Sequence, residues 1–110
     1  MIPVNELKSL ANALMNTPEY KNVMRNRNTI KGNPPLYKQT VQMERSRNQV
    51  LNSNMPAQQK QRMMAEQMQK YQTLMKNPNV INLSKSMESY QNMFKDCITY
   101  INKIIDSNMR

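Results

Sequence analysis

A chain of 110 residues lies within the range of one domain or one protomer of an assembly. Its 38% hydrophobic content, with Asn and Gln near a quarter of all positions and a mean hydropathy of -0.84, predicts a thin core that a second chain would help to complete. One Gly, one Cys and no His, beside a net charge of +9, exclude glycine-rich phosphate loops, an internal disulfide, Ser-His-Asp and Cys-His triads and zinc helices of the HExxH type.

The elements follow one another between proline and asparagine breaks, and their apolar residues recur at helical spacing. After Pro3 the stripe Val4, Leu7, Leu10, Ala11 and Leu14 predicts a first helix ending near Asn16. Thr17-Pro18-Glu19 reads as an N-cap, a proline at the first helical position and a dipole-friendly acid. Tyr20, Val23, Met24, Arg27 and Ile30 continue that second helix, and Gly32 is expected to end it in a left-handed conformation.

Asn33-Pro34-Pro35 repeats the start signal for a third helix, with Leu36, Thr40, Val41, Met43, Arg47, Val50 and Leu51 as a weaker stripe. Residues 52–56 form the clearest loop. Beyond it Ala57, Met63, Met64, Met68, Tyr71, Leu74 and Met75 make a methionine-rich helical face up to Asn77-Pro78. From Val80 to Ile105 the spacing then persists for nearly 30 residues, a predicted helix of roughly 42 Å at 1.5 Å per residue. The expected fold is an all-α antiparallel helical bundle in a single domain, 1–110. The helix from 34 folds back on the one from 56, and the long C-terminal helix lies across both. Part of that last helix is expected to meet another chain, which makes the protein an oligomer. Met87, Tyr90, Phe94, Ile98, Ile101, Ile104 and Ile105 are the candidate interface.

Charge offers a second candidate. Residues 21–47 hold Lys21, Arg25, Arg27, Lys31, Lys38, Arg45 and Arg47 against Glu44 alone. A basic concentration of this kind suits a nucleic-acid backbone or anionic lipid, although a solvated helical face is the commoner meaning. The carboxylates are scattered and identify no acid–base pair. Tyr20, Tyr37, Tyr71, Tyr90 and Tyr100 are phased with apolar positions, which favours packing over base stacking. Cys97, at helical spacing from Phe94 and Ile101, reads as a small hydrophobe in preference to a redox switch. The Met63, Met64, Met68 and Met75 stripe reads as core before it reads as an adaptable partner groove. No run approaches the roughly 18 apolar residues of a membrane span, and the start MIPVNELK lacks an apolar signal core. The expected location is the cytoplasm, with no metal and no cofactor.

The order of these segments resembles a known family. Pro18-Glu19-Tyr20-Lys21, the Asn33-Pro34 start, a long hairpin with a polar tip, Asn77-Pro78-Asn79-Val80 and the ending Ile101-Asn102-Lys103-Ile104-Ile105 together resemble the YlbF/YmcA family of small bacterial regulators. The resemblance implies an all-helical, self-associating, non-catalytic protein. It would act with paralogues and further protein partners in RNA processing, competence, biofilm formation and sporulation. Some members carry cysteines implicated in iron–sulfur binding, whereas Cys97 alone falls short of the four ligands a cluster usually takes. The alternative kept beside this reading is a basic nucleic-acid-binding helical module.

Overall fold

A computed structural model describes all residues from 1 to 110, and every regular element in it is helical. The helices are α1 (Val4–Met15), α2 (Pro18–Lys31), α3 (Pro34–Leu51), α4 (Ala57–Lys70), α5 (Gln72–Met75) and α6 (Pro78–Met109). The chain is therefore all-α with a long C-terminal helix. At 32 residues, α6 outruns the expectation because Asn77-Pro78 begins the helix itself and does not merely break the preceding one.

One local device starts three of the helices. A proline occupies the first turn, where its missing N–H would have no partner, and the polar residue before it accepts a backbone N–H. Thr17 Oγ1 accepts from Tyr20 N at 3.3 Å while donating to Leu14 O at 2.6 Å, so one hydroxyl closes α1 and opens α2. Asn33 Oδ1 accepts from Leu36 N at 3.3 Å, and Asn77 Oδ1 from Asn79 N at 2.9 Å. Gly32 corrects an expectation: it has no positive φ. The end of α2 tightens instead through Gly32 N to Thr29 O at 3.3 Å and Asn33 N to Ile30 O at 2.9 Å. The stop comes from Pro34, whose ring disfavours helical geometry in the residue before it, and Asn33 is accordingly extended at φ -122° and ψ 92°.

Packing divides the chain into two compact units, Arg27–Asn82 and the combination of Met1–Asn26 with Leu83–Arg110. In the first of these, α3 and α4 form an antiparallel hairpin. Gln67 Nε2 donates to Ser46 O at 2.9 Å, and nearer the tip Lys60 Nζ donates to Leu51 O at 3.2 Å. Ser53 Oγ takes Val50 O at 2.7 Å, so carbonyls at the open end of α3 find donors in the loop and on α4. Ile30, Met43, Val50, Leu74 and Val80 are buried in this unit. So is Thr40, whose hydroxyl turns back to Leu36 O at 2.8 Å and is thereby satisfied without a tertiary partner. The helix expected to run unbroken to Met75 is interrupted at Tyr71, where φ -103° and ψ 20° separate α4 from α5. Its amide still bonds to Gln67 O at 2.9 Å.

In the other unit Leu14, Val23, Leu83 and Ser86 are buried. The apolar stripe of α1 is mostly left uncovered. Only Leu14 is buried, Leu10 is half-buried, and Val4, Leu7 and Ala11 are exposed.

Candidate interaction surfaces

Most of α6 carries apolar side chains that its own chain leaves open. Beyond Ser86 no residue of the helix is buried. Met87, Tyr90, Cys97 and Ile101 are half-buried, whereas Phe94 and Ile98 are each 42% exposed, Ile104 49% and Ile105 47%. One side of the stripe is partly occupied. Tyr20 meets Tyr90 edge-on at 5.8 Å between ring centroids, and Tyr90 in turn lies 6.4 Å from Phe94. Such pairs add modestly to the area they cover.

Leu10 of α1, with Met93, Asp96, Cys97, Tyr100 and Ile101, lines a shallow groove of about 380 Å³. Cys97 Sγ sits 3.7 Å from Met93 Sδ, one turn away. The thiol is therefore less enclosed than a core position would make it, though its surroundings are apolar. No group of three or more His, Cys, Asp or Glu side chains is gathered to hold a metal ion. The exposed Val4 and Leu7 were not among the interface candidates. Their signal was present in the sequence, a short stripe in a helix that lies beside a much longer one, but periodicity does not distinguish a covered face from an open one.

The methionine face of α4 packs against α3. Met43, Arg47, Met64, Gln67, Met68, Tyr71 and Met75 enclose a crevice of only about 10 Å³, so these flexible chains fill the space between the helices. Met63, Met64 and Met75 are half-buried and Met68 is exposed. A larger open depression, about 400 Å³, lies along Leu36, Gln39, Gln42, Lys70, Tyr71, Thr73, Leu74 and Asn77. Its polar residues are the amides Gln39, Gln42 and Asn77 and the hydroxyl-bearing Tyr71 and Thr73, with the Lys70 ammonium drawn 5.3 Å over the Tyr71 ring.

The basic candidates are distributed over both units. Lys21 and Arg25 belong to one, and Arg27, Lys31, Lys38, Arg45 and Arg47 to the other. Arg27 is half-buried and its Nη2 donates to both oxygens of Glu44, at 3.3 and 3.5 Å. Lys31 Nζ lies 5.6 Å from the Tyr37 ring centroid. On α3, Lys38 and Arg45 stand two turns apart on one exposed face, while Arg47 borders the methionine crevice. The sequence cluster thus becomes several separate dispositions, with Arg27 and Lys31 among those that have partners within the fold.

Residues 4–109 match a family model described as control of competence regulator ComK, YlbF/YmcA. The chain belongs to the YlbF/YmcA family. The match leaves out only the first three residues and the last, and the family's description assigns a role in regulation. No curated protein and no solved structure matches the chain. No helix is long and apolar enough to cross a membrane.

Proposed function

We propose that this YlbF/YmcA-family chain is a non-catalytic regulatory adaptor of the cytoplasm. It self-associates through the apolar faces of its helices and recruits protein partners, paralogues of its own family among them. The observation that supports this reading most is the open stripe on α6 from Met87 to Ile105. Contiguous apolar surface of that kind marks an interaction site in a soluble protein. The polar outer faces and the 52–56 loop are then left for a second protein. Processes implied by the resemblance, RNA processing, competence, biofilm formation and sporulation, are the setting in which such an adaptor acts.

Sedimentation equilibrium over a micromolar concentration series tests the central element. Association that strengthens with concentration is expected, and a stable monomer throughout overturns it. Lys38 and Arg45 on one exposed face keep the second reading, a nucleic-acid-binding module, open to a direct test. Contacts of this kind to phosphates make affinity fall steeply with salt, so flat binding of a single-stranded RNA across a salt series excludes it.

A further inference from the structure

The methionines of the α3–α4 seam run from solvent to interior in graded steps. Met68 is 57% exposed, Met64 and Met75 are half-buried, and Met43, contributed by α3, is 6% exposed. All four line one crevice, which Arg47, Gln67 and Tyr71 complete. Met1, Met15 and Met109 are exposed as well, but Met1 precedes α1 and the other two are the last residues of α1 and α6. Met68 combines an exposed side chain with a seat between two packed helices.

A thioether that meets water is a two-electron reductant for peroxides. A sulfur lone pair of Met68 attacks one oxygen of hydrogen peroxide and the O–O bond breaks. The transferred oxygen stays on sulfur as the sulfoxide, and the other leaves as hydroxide, which takes up the remaining proton and becomes water. Sulfur loses two electrons and the peroxide gains them. The product is polar where the reactant was apolar, and its oxygen is a hydrogen-bond acceptor that asks for a donor.

The seat does not suit that product. The space left in the crevice is about 10 Å³, near the least that admits a single water. Of the nitrogen donors on its wall, Gln67 Nε2 is engaged with Ser46 O at 2.9 Å, and Arg47 is exposed at the rim. The oxidised side chain therefore satisfies its oxygen in water beside Arg47, or draws Gln67 away from Ser46. Either response uncovers Met64 and Met75. We propose that Met68 is a modification site for peroxide: it is oxidised first, and its sulfoxide loosens α4 from α3 and opens Met64 and Met75 to the same reaction. Two thiols of a sulfoxide reductase remove the oxygen as water and become a disulfide, so the modification is reversible.

Timed exposure of the full chain to hydrogen peroxide, followed by mass spectrometry and urea denaturation of the same samples, tests the order and its consequence. Trypsin places Met43 in residues 39–45, Met63, Met64 and Met68 in 63–70 and Met75 in 71–76, and fragmentation resolves the sites within a peptide. Met68 is expected to oxidise at least about tenfold faster than Met43, with Met64 and Met75 following after a lag. The urea midpoint is expected to fall by about 0.5 M as Met68 converts, and to return on treatment with sulfoxide reductase and dithiothreitol. Met68→Leu keeps an apolar side chain of similar volume in the seat. In that variant Met64 and Met75 are expected to oxidise at least about threefold more slowly. Its midpoint should hold over the same exposure, although Met1, Met15 and Met109 still react. Met68→Gln, polar and of about the same length, is expected to lower the midpoint with no oxidant present. Equal rates at Met64 and Met75 with and without Met68 overturn the proposal. So does a midpoint that Met68 sulfoxide or Met68→Gln leaves unmoved, and a loss that the reductase does not repair overturns its reversibility.

Discussion

The α3–α4 hairpin and the C-terminal half of α6 carry apolar residues at the same helical spacing and dispose of them in opposite ways. In the hairpin, Met43 and Val50 are buried, the methionines of α4 fill the crevice beside them, and the Gln67 and Lys60 side chains tie α4 to carbonyls of α3. Along α6 the equivalent stripe from Phe94 to Ile105 remains open. A periodic apolar face states only that a helix needs a neighbour. Whether the neighbour comes from the same chain depends on loop length: the short 52–56 turn returns α4 onto α3, whereas past α1 nothing in the chain returns to cover the outer edge of α6.

If the hairpin is self-sufficient, damage to it lowers stability at every protein concentration. Met43→Ala removes a buried side chain from the packed interior and is expected to destabilise by about 2–5 kcal/mol. Urea denaturation at two concentrations checks this, and a loss that vanishes on dilution would make the hairpin as dependent on company as α6. The converse variant is Ile101→Asp with Ile104→Asp. Unpaired carboxylates in an apolar seam are expected to weaken association at least about a hundredfold, with helical circular dichroism retained. Sedimentation reads the outcome, and unchanged assembly would place the contact elsewhere.

Smaller effects sharpen the same contrast at the joints. Thr17→Ala deletes the hydroxyl that caps α2 and holds Leu14 O, and is expected to lower the unfolding free energy by about 1 kcal/mol. The smallest effect belongs to Glu44→Gln, which neutralises the partner of Arg27. Both side chains are about one-fifth exposed and share the pair with solvent, so a loss of about 0.5 kcal/mol or less is expected in the same denaturation assay. A larger loss would make this ion pair a main support of its unit.

Element types and boundaries were legible because proline and asparagine act locally. Thr17-Pro18, Asn33-Pro34 and Asn77-Pro78 each start a helix by geometry confined to a few residues, and the structure places all three starts where the sequence does. Gly32 was misread because its own freedom is unused: the constraint comes from Pro34, acting on the conformation of Asn33. The interruption at Tyr71 carries no Gly or Pro and left no mark on the periodicity. The basic cluster was legible as composition but not as a surface. Which cation pairs with Glu44, borders a methionine crevice or stays in water depends on helix rotation and packing.

The sequence by itself determined an all-helical chain, the position of its breaks, a long final helix and a family membership that spans nearly every residue. These depend on backbone preferences and on the 3.6-residue period, which act over short stretches of chain. Only the tertiary structure decided that α4 spends its methionines on α3, that most of α1 stays open, and that the outer edge of α6 is left uncovered. Burial is a relation between segments distant in sequence, and the side of a helix that stays exposed is fixed by what the rest of the chain can reach.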